Sequence, residues 1–104
     1  MMISVKIHKS YRDVVAVCDS ALIGRRFEEK FDKGVKQLDC RENFYKNEEV
    51  SFEKAVDIIK FQAKEDATFN IIGKESVKAA LEAGIINKQG IGKIDGIPYA
   101  MVLL

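Results

Sequence analysis

The chain has no tryptophan, one proline, one histidine and two cysteines. Each scarcity removes a class of chemistry. A structural zinc site needs convergent His, Cys or carboxylate ligands, and two cysteines far apart in sequence with a lone His8 do not supply one. Cys18 and Cys40 also lack the close spacing of a redox motif and read as buried thiols of a reducing, cytoplasmic environment. No apolar run approaches the roughly 18 residues of a membrane span, and the start, Met1 to Lys6, has none of the features of a signal peptide. A soluble protein without membrane contact is the expectation.

What remains is a chain of 104 residues, 47% hydrophobic and 32% charged, enough for one packed core over residues 1–104 and too short for two. Its net charge is only +1, yet residues 1 to 36 carry eight basic and five acidic side chains. The opposite bias, five basic and eight acidic, follows over residues 37 to 66.

Apolar periodicity divides the chain into short elements. Ile3, Val5 and Ile7 alternate with polar residues, and Val14 to Cys18 is a β-branched run, so residues 3–9 and 13–19 form a hairpin. A symmetric loop sets Val5 opposite Cys18, Ile7 opposite Ala16 and His8 opposite Val15. The second strand is apolar on both faces and is expected at the sheet centre. Asp19 or Ser20 caps a short helix through Ala21 to Ile23, with Arg25 to Phe31 as a second helical segment anchored by Phe27 and Phe31. A strand over 35–40 and a loop over 43–47 follow. Ser51 then caps a helix carrying Phe52, Val56, Ile59 and Ala63 on one side. Residues 69–72 are a strand, 75–83 a helix stopped by Gly84, and 91–104 a hairpin turning at Asp95-Gly96. The order β-β-α-β-α-β-α-β-β predicts an α+β fold, a mixed sheet with N- and C-terminal hairpins and two to three helices mainly on one face.

Few motifs carry chemistry. Gly73-Lys74-Glu75-Ser76 stands where a phosphate loop would, but Thr68 and Glu75 occupy positions that would have to be glycine and Ser or Thr. Gly90-Ile91-Gly92 lacks the third glycine of a dinucleotide fingerprint and reads as a flexible lead-in to a strand. Cys18 at a strand end lacks a positioned base, because His8 falls on the other face in the register above. No catalytic residue, cofactor or metal site is assigned, and the balance leans away from an enzyme.

Two residue sets remain. Lys6, Lys9, Arg12, Arg25, Arg26 and Lys30, with Lys33, Lys36 and Tyr11 nearby, offer cations and an aromatic ring for RNA or a ribonucleoprotein. Asp19, Asn70, Gly73, Lys74 and Tyr99 form an alternative site for a small anionic ligand or substrate, at strand ends and a helix start. A third expectation is a protein-interaction subunit or homodimer joined through the apolar final strand, Tyr99 to Leu104.

Four blocks in order, Ala16-Val17-Cys18-Asp19-Ser20-Ala21-Leu22-Ile23-Gly24-Arg25, Glu42-Asn43-Phe44-Tyr45-Lys46, Asn70-Ile71-Ile72-Gly73 and Gly96-Ile97-Pro98-Tyr99-Ala100, give the chain a resemblance to the archaeal family catalogued as domain of unknown function 424 (DUF424). The resemblance implies an archaeal cytosolic protein of about one domain and brings no activity, cofactor or catalytic residue with it. Tyr99 stands where that family usually has histidine, so a mechanism using that histidine as acid or base would lack its group here.

Overall fold

The computed structural model describes residues 2–103; Leu104, the end of the expected last strand, and Met1 lie outside them. Strands β1 (Ile3–His8) and β2 (Val14–Asp19) form the first hairpin, with Val5 opposite Val17, Ile7 opposite Val15 and His8 opposite Val14. The expected pairing of Val5 with Cys18 is therefore off by one residue. The loop, Lys9 to Asp13, has an odd number of residues. Asp13 holds it closed, accepting hydrogen bonds from Lys9 Nζ at 3.0 Å and Ser10 N at 3.4 Å. A one-residue slip moves every side chain to the other face, and a strand apolar on both faces offers no pattern to resist it. Val15 and Val17 thus join Ile3 and Val5, while Ala16 and Cys18 face the other way with Ser4.

The main sheet has six strands in the order β5 (Glu49–Val50), β1, β2, β6 (Thr68–Ile72), β8 (Ile97–Val102), β7 (Gly92–Ile94). Only β2 and β6 run parallel; the other neighbours are antiparallel, so the sheet is mixed and β2 is central, as its two apolar faces require. Strand β8 pairs with β7 over Ile97 to Tyr99 and with β6 over Tyr99 to Val102. Asp95 and Gly96, at φ 52° and 77°, make the tight turn before it.

One face of the sheet is covered by α2 (Phe52–Lys64) and α3 (Lys74–Ala83), which enclose Ile3, Val15, Val17, Ile59, Phe69 and Ile71. Ser51 caps α2 by accepting from Lys54 N at 3.2 Å, and α3 ends at a left-handed Gly84, both as expected. The opposite face carries a separate two-stranded ribbon, β3 (Arg26–Phe31) with β4 (Gly34–Asp39), and a short helix α1 (Glu42–Tyr45) in place of the expected loop. Phe27, Leu38, Cys40 and Tyr45 pack there against Ala16, Cys18, Ile72 and Ile94. The chain is an α+β structure with two cores divided by its central sheet, where its length led to the expectation of one; a sheet buried on both faces packs a layer on each within a single domain.

Of the expected helical segment Arg25 to Phe31, residues Arg26–Phe31 form a strand. Only the turn Ser20–Leu22, a 3-10 helix, precedes it. Phenylalanines four residues apart share a side in both geometries, so their spacing does not discriminate; pairing with β4 does. The two rings also differ in burial, Phe27 being 6% and Phe31 47% exposed. Phe27→Ala should therefore destabilise by about 3 kcal/mol in urea unfolding, whereas Phe31→Ala should stay within about 0.5 kcal/mol. Equal losses would support the helical arrangement.

Candidate functional site

Asp19 ends the central strand, and its carboxylate is already engaged. It accepts hydrogen bonds from Glu75 N at 3.1 Å, Ser76 N at 2.8 Å and Ser76 Oγ at 2.7 Å, in the first turn of α3. The residue before the helix, Gly73, has no side chain with which to cap it. Gly73 sits at φ 112°, and a Cβ there would lie 2.3 Å from Asp19 Cγ, so glycine is what admits the carboxylate. Asp19 makes no side-chain cap to the turn Ser20–Leu22, contrary to expectation; it caps α3 instead. The helix start that was to receive an external anion is filled by the protein's own.

Cys18 and Cys40 converge in the second core despite their distance in sequence, and both are free and fully buried. The hydrogen bond with Cys40, reinforced by burial, pushes the Cys18 thiol far above its usual range, which suits an inert packed thiol. His8 shares the Cys18 face after all, but the pair His8–Val14 is four residues along from Ser4–Cys18, about 13 Å. Its Nε2 lies 2.8 Å from Phe44 O, and its ring stacks on Phe44 at 4.6 Å. No thiol–imidazole pair forms. Among the described residues no group of three or more His, Cys, Asp or Glu could hold a metal ion.

The alternative set divides into two places. Asn70 and Tyr99 line a cleft of about 420 Å³ between the sheet and the ribbon, together with Lys36, Tyr45, Ile94 and Met101. Asp19 and Lys74 border a different groove, beside α3, while Gly73 is buried and donates its N–H to Pro98 O at 2.9 Å. Gly92 has a role in the cleft beyond a flexible lead-in. A Cβ on it would come within 2.6 Å of the Tyr99 ring, so the missing side chain lets that ring lie across the neighbouring strand.

The basic set divides as well. Lys6 Nζ donates to Asn43 O at 2.8 Å. Lys9 pairs with Asp13 at 3.0 Å, and its hydrogen bond holds that carboxyl below the usual range; Arg12 is exposed in the same loop. Arg25, Arg26 and Lys30 instead follow the opposite end of β2 in the chain, Arg26 and Lys30 within β3 of the ribbon. Arg25 stacks over Phe27 at 4.9 Å, and Arg26 and Lys30 share the outer face of the ribbon. Lys33 and Lys36 extend this group toward the tip, where Phe31 and Val35 are exposed and Lys36 Nζ is 5.4 Å from the Phe31 ring. Of the ribbon, the expected strand over 35–40 is present as β4, while its partner β3 had no period-two pattern to reveal it, only the turn residues Asp32-Lys33-Gly34 between the two.

These features define a small two-faced α+β protein, with helices sealing one side of the sheet and a ribbon-covered cleft on the other. The chain belongs to the family described as protein of unknown function (DUF424), whose model matches residues 8–104. A crystal structure of an uncharacterized conserved protein from Methanopyrus kandleri has the same fold, with a TM-score of 0.82 at 23% identity over 98% of this chain and 90% of that one. No functionally curated protein is detectably similar in sequence. Among the described residues no helix is long and apolar enough to cross a membrane.

Asp19→Ala strips two amides and the fully buried Ser76 hydroxyl of their acceptor. It should cost about 2 kcal/mol in urea unfolding. A variant as stable as the parent, or more stable, would mark Asp19 as held for a reaction rather than for the fold.

Proposed function

We propose that the chain is a non-enzymatic module that binds single-stranded RNA in the cleft between the sheet and the β3–β4 ribbon. The observation that carries this reading is the Tyr99 ring, packed against Gly92 at the wall of an open cleft that Asn70 and Lys36 also line. A flat ring stacks on any base, an amide can hydrogen-bond a base edge, and cations along an exposed ribbon can follow a phosphate backbone. Arg25, Arg26, Lys30 and Lys33 add charge on that ribbon, interspersed with Glu28 and Asp32, which suits moderate and salt-sensitive binding. The loop cations Lys9 and Arg12 take no part. The small-anion reading loses its attraction because the α3 amides are taken by Asp19.

The test is anisotropy of a fluorescein-labelled oligouridine titrated with the protein over a range of salt. Tyr99→Ala should weaken binding by about tenfold, with Tyr99→Phe close to the parent, as a stacking contact requires. Lys33→Glu with Lys36→Glu, at the ribbon tip and the cleft wall, should flatten the slope of log affinity against log salt by roughly 1.4, the loss of two phosphate contacts on a single strand. Lys9→Glu with Arg12→Glu should leave both quantities unchanged. Parental affinity in Tyr99→Ala, or an unchanged slope in the ribbon variant, would refute the proposal.

A further inference from the structure

A second concavity lies on the other side of β8. Helix α3 presents Lys74, Val77, Lys78 and Leu81 along one flank, the i, i+3, i+4, i+7 spacing of a single helix face. The β7–β8 hairpin forms the facing wall with Lys93, Ile97 and Pro98, joined by Ile91 just before β7. The groove between them measures about 550 Å³, within the usual range of ligand sites.

Its chemistry is an apolar floor under a cationic rim. Lys74, Lys78 and Lys93 are all exposed, and among the described residues no carboxylate comes within 4.0 Å of any of them. Asp19 borders the groove, but its carboxylate is spent on the α3 amides. Three lysines against the one Asp19 carboxylate leave the apolar trough with a positive excess, Lys78 Nζ also lying 6.0 Å from the Phe52 ring, and an occupant meets it with both carboxylates and hydrocarbon.

We infer that this groove docks an acidic segment of a partner protein in which Asp or Glu alternate with large aliphatic residues. The rim cations lie on both walls and along one flank of a helix, so their complement is a chain with several spaced carboxylates; a fatty acid has only one. No aromatic side chain lines the groove, so bases of RNA would find nothing to stack on. The surface is separate from the Tyr99 cleft and does not rest on the RNA reading.

The probe is a short fluorescein-labelled peptide alternating Leu and Glu pairs, compared with versions carrying Gln for Glu and Ser for Leu. The parent protein should bind the first and neither of the others. Lys74→Glu with Lys93→Glu, both exposed positions, should weaken binding by at least about tenfold while leaving oligouridine affinity and the unfolding midpoint unchanged. Absence of binding at millimolar peptide, equal binding of the Gln version, or full retention in the double variant would overturn the inference. Displacement of the peptide by an equimolar amount of decanoate would overturn it too, reassigning the groove to a small amphiphile. Because the RNA assay reports on Tyr99 and the ribbon, either reading can fail while the other stands.

Discussion

The carboxylate of Asp19 determines how the two halves of the sheet face the rest of the molecule. It sits at the end of the central strand and satisfies two amides and one hydroxyl of a helix more than fifty residues away. Because the cap comes from β2 rather than from the helix's own leading residue, α3 can begin only where β2 ends. Gly73 is bound to the same constraint, since any side chain there would displace the carboxylate. The Gly73 amide, turned to Pro98 O, ties β8 into the arrangement. A single buried acid thus links the central strand, the helix layer and the C-terminal hairpin.

That linkage also governs where a ligand can bind. A helix N-terminus attracts anions when its amides are free, and here those of Glu75 and Ser76 are held by Asp19. Polar groups open to a partner lie elsewhere, on the ribbon side of the sheet around Asn70 and Tyr99, and on the flank of α3 where three lysines surround apolar residues. The interior thiols, the Tyr45 phenol pushed up by burial, and His8 against Phe44 serve packing. Opposite faces of one strand, β8, therefore serve two surfaces, with Tyr99 and Met101 on one and Pro98 on the other.

Elements defined by local chemistry were legible in the sequence. Ser51 before an amphipathic run, Gly84 after another and Asp95-Gly96 between apolar strands each encode a backbone geometry within a few residues. Elements defined by distant partners were not. The register of β1 against β2 turned on an odd-length loop, because β2 is apolar on both faces. Strand β3 was hidden because Phe27 and Phe31 fit helix and strand alike. The Asp19 cap joins residues without any local signature. Within the candidate sets, Asn70 and Tyr99 line one cleft, whereas Lys78 and Lys93 carry no signal in the sequence because a lone lysine in a helix or strand looks like ordinary solvated surface. Lys36 was noted only as one cation among many, and its position at the cleft needed β4 to be folded back.

The account rests on the sheet face around Tyr99 being the surface that meets RNA. The most direct measurement is a set of amide and side-chain NMR spectra of the labelled protein as oligouridine is added. The account predicts shifts concentrated at Asn70, Gly92, Tyr99 and along Arg26 to Lys36, with Lys74, Lys78, Lys9 and Arg12 still. Unmoved signals at the cleft, or shifts centred on the β1–β2 loop, would contradict it.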